Sequence, residues 1–145
     1  MATVKSIPFP SYSNWSIEQL PGLSLQQQTL LKEVGIDTTG KLLKSASTRQ
    51  LQQKLATKLQ IHPSYLKKWV AMAQLACIPS VGCQYCGLIL HAGIASVAQL
   101  AQTPVPRLHR QILRLQVANL QRRDLCPSVD QVQIWIQQAK ILTRQ

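Results

Sequence analysis

Residues 76–101, ACIPSVGCQYCGLILHAGIASVAQLA, decide how this chain reads. An apolar segment enters a Pro79-Ser80-Val81-Gly82 turn, a helix runs from there to Gly93, and Ser96 caps a new helix. Glycine stops a helix because it takes left-handed backbone angles without a Cβ clash. The same plan stands 58 positions earlier. Leu20-Pro21-Gly22-Leu23 answers Ile78-Pro79-Ser80-Val81, Leu30-Leu31 answers Leu88-Ile89, Gly35-Ile36 answers Gly93-Ile94, and Thr38 answers Ser96. The chain therefore reads as two copies of one helical unit.

Working outward, helix starts are marked by serines followed three residues later by glutamine, the pattern of a capping box. Ser24 with Gln27, Ser47 with Gln50, Ser96 with Gln99 and Ser128 with Gln131 all fit it. Thr38 and Ser64 are further caps. Leu51, Leu55 and Leu59 form one apolar stripe, with Lys54 and Lys58 on its flank. A helix is expected from about Arg107 towards Leu120, with Arg107, Arg110 and Arg114 on one face. Trp69 and Ala73 match Trp135 and Ala139 at an offset of 66, which puts an insertion around residues 120–127. Both tryptophans read as core.

The expected architecture is all-α, with two pseudo-repeated helix-hairpin-helix units packed into one compact helical body. Residues 1–14 form an extended arm, 15–76 the first unit and 77–145 the second. A small helical unit cannot bury its apolar face alone, so the two must lean on each other. Residues 69–106 carry no Lys, Arg, Asp or Glu. They read as a central layer between the units, or as a patch for a partner or a membrane surface.

The net charge of +11, from 16 basic and 5 acidic residues, is the strongest bulk signal. It attracts polyanions without choosing among nucleic acid, anionic lipid and acidic protein. Residues 1–12 lack a continuous apolar core and hold two prolines, so no secretory signal is expected. No apolar run is long enough to span a bilayer. A cytoplasmic protein with reduced thiols is the expectation.

The two turns carry the functional reading. Leu-Pro-Gly-Leu-Ser and Ile-Pro-Ser-Val-Gly, each followed by a helix, resemble the helix-hairpin-helix motif, whose pattern is apolar-x-Gly-apolar-Gly. Glycine lets the backbone approach a phosphate, and the following helix offers free N–H groups and a positive dipole end. Each copy keeps one glycine, Gly22 or Gly82, and has serine in place of the other, Ser24 or Ser80. Neither copy has Lys or Arg in the next turn, so the hairpins can equally serve as structural corners.

Over Trp15 to Leu142 the chain resembles an uncharacterised cyanobacterial family of small proteins with tandem hairpin units. The stretches that carry the likeness are Trp15–Leu23, Ile78–Gly93 and Arg122–Pro127 (RRDLCP). The resemblance implies a helical, hairpin-based fold and supplies no ligand or active site.

The leading expectation is a non-enzymatic protein that binds nucleic acid, DNA first, without reading sequence. Gly22, Leu23, Ser24, Ser80, Val81 and Gly82 would receive phosphates. Lys54, Lys58, Lys67, Lys68, Arg107, Arg110, Arg114, Arg122 and Arg123 would supply the field. The first alternative is an adaptor docking on an acidic protein, favoured if Leu90, Ile94 or Val97 is exposed. The second is a zinc, iron–sulfur or redox role for Cys77, Cys83, Cys86 and Cys126, with Cys83-x-x-Cys86 the close pair. The three histidines have no ligand spacing, and no acid–base or hydrolytic constellation is visible.

Overall fold

Ser24 begins the first helix, α1 (Leu25–Glu33), through a complete capping box: its hydroxyl accepts from the Gln27 N–H, and the Gln27 side chain accepts from the Ser24 N–H. The computed structural model describes residues 14–115 and 127–143. Within them the chain forms a 3-10 turn, Ile17–Gln19, and then α1, α2 (Thr39–Ser45), α3 (Arg49–Leu59), α4 (Pro63–Ala76), α5 (Gly82–His91), α6 (Val97–Ala101), α7 (Val105–Leu115) and α8 (Val129–Thr143). The fold is all-α. The expected arm, apart from Asn14, and the insertion up to Cys126, with Arg122 and Arg123, lie outside the described residues.

Two helix ends show why the glycines were placed where they are. After α1, Gly35 takes a φ of +86°, its N–H reaches the Lys32 carbonyl, and the Ile36 N–H reaches Leu31. After α5, Gly93 takes +102°, its N–H reaches Leu90, and the Ile94 N–H reaches Ile89. Both are Schellman closures, in which the residue after the glycine folds back onto the last turn. The apolar partners Leu31 with Ile36, and Ile89 with Ile94, are all buried.

Local signals elsewhere shift by a residue or two. Thr48, not Ser47, caps α3, its hydroxyl accepting from the Leu51 N–H. The link before it is held by buried Ala46, whose carbonyl takes the Gln52 side chain. His62, not Ser64, caps α4: its Nδ1 accepts from the Ser64 N–H at 3.1 Å. Pro63 is the reason, because proline fits the first helical position, where no N–H bond is needed, and the cap must precede it. Likewise α7 starts at Val105 rather than Arg107, with Pro106 in its first turn.

The centre of the molecule is α4, with Leu66, Trp69, Val70, Ala71, Met72, Ala73, Leu75 and Ala76 all buried. It packs most extensively on α5 and also on α2 and α3, while α8 packs on α6 and α7. A single buried cluster joins residues from α1 to α8, with Trp69 and Trp135 among its largest members. The segment before the 3-10 turn is tied across the first half. Ile17 N–H donates to Asp37, Thr39 N–H to Trp15, and the Trp15 indole N–H to the Ala76 carbonyl at 2.8 Å. Thr39 is the buried polar residue here, and its hydroxyl accepts from the Trp15 N–H.

Candidate nucleic-acid interface

The two turns that the sequence pairs have different surroundings. The first is open: Gly22, Ser24 and Leu25 are exposed, and Gly22 has a φ of +87°. Of the first four N–H groups around the start of α1, those of Ser24 and Gln27 are used by the capping box. Those of Leu25 and Gln26, both exposed residues, have no partner among the described residues. Leu23 is half-buried and serves the core instead.

The second turn is closed. The Ser80 N–H and hydroxyl both donate to Gln138 Oε1, at 3.0 and 2.7 Å, and the Ser80 carbonyl accepts from the Trp135 indole at 3.2 Å. The Val81 and Gly82 N–H groups both donate to the Ile78 carbonyl. Val81 and Gly82 are buried, and a Cβ on Gly82 would lie 2.9 Å from the Trp15 ring. The expectation that Ser80, Val81 and Gly82 take a phosphate therefore meets a physical obstacle: their donors are already spent inside the fold. The glycine at this corner admits an indole.

The basic side chains show a clearer arrangement. Lys32 pairs with Glu18 at 2.6 Å and Lys41 with Asp37 at 2.9 Å. Hydrogen bonds from Lys32 and Ser16 hold the Glu18 carboxyl below its ordinary value, and Lys41 does the same for Asp37. Lys54, Lys58, Lys67, Lys68, Arg107, Arg110 and Arg114 are all exposed and make no ion pair among the described residues. Lys44, Arg49 and Lys140, which the motif reading passed over, share this state. The signal that finds Lys44 and Arg49 is the spacing of acids rather than bases: residues 38–123 contain no Asp or Glu.

Some of these cations have a local purpose. Lys44, Lys58, Arg114 and Lys140 sit in last turns, where a positive charge meets the negative end of the helix dipole. Arg49 and Arg107 sit in first turns, the unfavourable end. Arg107 also lines a polar groove of about 290 Å³ with Gln99, Gln102, Thr103 and Gln111. Lys54 lines an open depression with Gln50, Gln53 and Thr57.

Among the described residues no three His, Cys, Asp or Glu side chains are grouped to hold a metal ion, and Cys126 lies outside them. Cys77, Cys83 and Cys86 are free thiols. Burial pushes Cys77 and Cys83 up to about 11 and Cys86 to about 12. For Cys83, at the start of α5, the shift is upward because burial desolvates the thiolate.

The uncharged stretch is largely internal. Ile94 is buried, and Leu90 and Val97 pack partly against the core. The large apolar side chains that do face solvent lie elsewhere, among them Leu25, Tyr65, Val129 and Ile134. No described helix is long and apolar enough to cross a membrane.

No curated protein and no solved structure is significantly similar to this chain. Residues 21–142 match the model of DUF4332, a domain of unknown function, and the chain belongs to that family.

Proposed function

We propose that this protein is a non-enzymatic, sequence-independent nucleic-acid binder, with DNA as the first candidate, acting in the cytoplasm. The observation that carries the reading is the run of residues 38–123 without a carboxylate, on which exposed lysines and arginines lie unpaired. A surface of that kind gathers phosphates by releasing counterions, and needs no base contacts to do so. Lys54, Lys58, Lys67 and Lys68 on α3 and α4, and Arg107, Arg110 and Arg114 on α7, supply the field. The free amides of Leu25 and Gln26, beside Gly22 and Ser24, offer one backbone seat for a phosphate. Arg122 and Arg123 belong to the same charge pattern in sequence.

The reading takes the chain as two helix-hairpin-helix-like units of the cyanobacterial type described above. Matched backbone angles at Gly35 and Gly93, and matched burial of Trp69 and Trp135, support that kinship. Only the first hairpin is carried forward as a phosphate seat.

Affinity on the order of 10 to 100 micromolar at physiological salt is expected, as for other non-specific binders. Titrating a labelled duplex at several salt concentrations tests the proposal. Binding should fall steeply with salt, and the Arg107→Ala, Arg110→Ala, Arg114→Ala triple variant should flatten the slope by up to about 3. An unchanged slope removes α7 from the interface. Absence of binding at low salt overturns the reading and favours an acidic protein partner. For that second reading, the exposed Val129, Ile134 and Ile141 of α8 are among the apolar contacts available.

A further inference from the structure

We infer that Tyr65 is a base-stacking platform for an unpaired nucleic-acid strand, set in the basic surface of α3 and α4; this rests on the nucleic-acid reading above. Tyr65 precedes Trp69 by four residues and Met72 by seven, so all three lie on one face of α4. Trp69 and Met72 are 1% and 2% exposed, whereas Tyr65 is 52% exposed. The ring stands at a core position of the helix, on the first turn, where the core no longer covers it. Its hydroxyl has no hydrogen-bond partner among the described residues.

The other described aromatic residues have a use within the fold. Trp15 packs on Gly82, Trp69 and Trp135 are buried, and the Tyr85 ring lies 5.0 Å from that of Trp135. Tyr65 alone among them is an exposed residue.

The surroundings select the ligand. Lys68 lies one helical turn from Tyr65 and is exposed, while Lys67, two residues on, is exposed on another face of the helix. α3 packs on α4 and brings exposed Lys54 and Lys58 on the adjoining helix. No carboxylate occurs in either helix. An exposed aromatic face among unpaired cations suits a strand that presents bases and phosphates together. A duplex keeps its base faces stacked inside and can use the lysines but not the ring. The ligand that fits both the ring and the lysines is therefore an unpaired strand.

The test compares an oligothymidylate with a duplex of equal length by fluorescence anisotropy, at several salt concentrations. Wild-type protein is expected to bind the single strand more tightly. Tyr65→Ala should weaken single-strand binding by roughly 5- to 150-fold and duplex binding by less than about twofold. Its salt slope should not change, since no charge is lost, and Tyr65→Phe should keep wild-type affinity. Circular dichroism on each variant checks the fold, and an oligouridylate arm separates RNA from DNA as the source of the strand. If Tyr65→Ala binds the single strand as wild type does, or loses equally on both forms, the stack is overturned while the nucleic-acid reading stands. If wild-type protein binds neither form at low salt, the nucleic-acid reading itself falls, and the stack with it.

Discussion

At the corner before α1, the chain turns through exposed Gly22, and the helix start is finished by residues three positions apart. At the corner before α5, the turn is finished by Gln138 and Trp135, more than fifty residues away, and by the ring of Trp15. Similar apolar-Pro-x-apolar-x sequences thus serve opposite ends. The first keeps donors for solvent or an anion, and the second spends those of Ser80 on α8 and those of Val81 and Gly82 on the Ile78 carbonyl. A serine–glycine exchange is tolerated at each corner because left-handed backbone is used at one position in each, Gly22 in the first and Gly82 in the second.

The sharpest way to break this comparison is to add a Cβ at each glycine. Gly82→Ala places a carbon 2.9 Å from the Trp15 ring at a φ of +54°. It should cost roughly 2–4 kcal/mol in urea unfolding, from backbone strain and overpacking together. Gly22→Ala meets only Met72 Cε at 3.5 Å, an ordinary contact, at a φ of +87°. Strain alone should cost about 1 kcal/mol there. Equal losses at the two sites would show that Trp15 yields, and the second corner would not be locked by it.

Hydrogen bonds give a finer contrast. Gln138→Ala removes the acceptor of both the Ser80 N–H and its hydroxyl, and should cost about 1–2 kcal/mol. Gln27→Ala takes one half of an exposed capping box and should cost about 0.5–1 kcal/mol. Thermal unfolding of the two variants, side by side, reads the difference.

The smallest effect concerns acid. Glu18 titrates lower in the folded chain because Lys32 and Ser16 bond its charged form. Its contribution is complete above the ordinary glutamate value and is lost as pH falls through the lowered one. A carboxyl carbon NMR titration should place Glu18 below an ordinary glutamate, and Lys32→Ala should bring it back most of the way. The second corner has no such ion pair among the described residues and should show no matching step.

How much of this was legible from residues alone depends on the reach of each interaction. The stops at Gly35 and Gly93, the caps at Ser24, Thr38 and Ser96, and the core placement of Trp69 and Trp135 were all readable. Each is set by bonds or periodicity within a few residues. Thr48 and His62 displaced the expected caps Ser47 and Ser64 because neighbouring chain geometry, and the fit of Pro63 to a first helical position, chose the boundary. Among the site residues, the exposure of Lys54, Lys58 and the three arginines on α7 followed from amphipathic spacing. The sealing of Ser80, Val81 and Gly82 did not.

The sequence by itself determined that the chain is helical, where most helices begin and end, and that it carries an excess of positive charge. Tertiary structure decided which turn stays open, that buried thiolates are disfavoured at Cys77, Cys83 and Cys86, and that Tyr65 is left half-exposed to water. The physical reason is range. Caps and stops are closed by neighbours along the chain, whereas solvent access at a turn, a thiol or a ring is set by whichever distant helix packs over it.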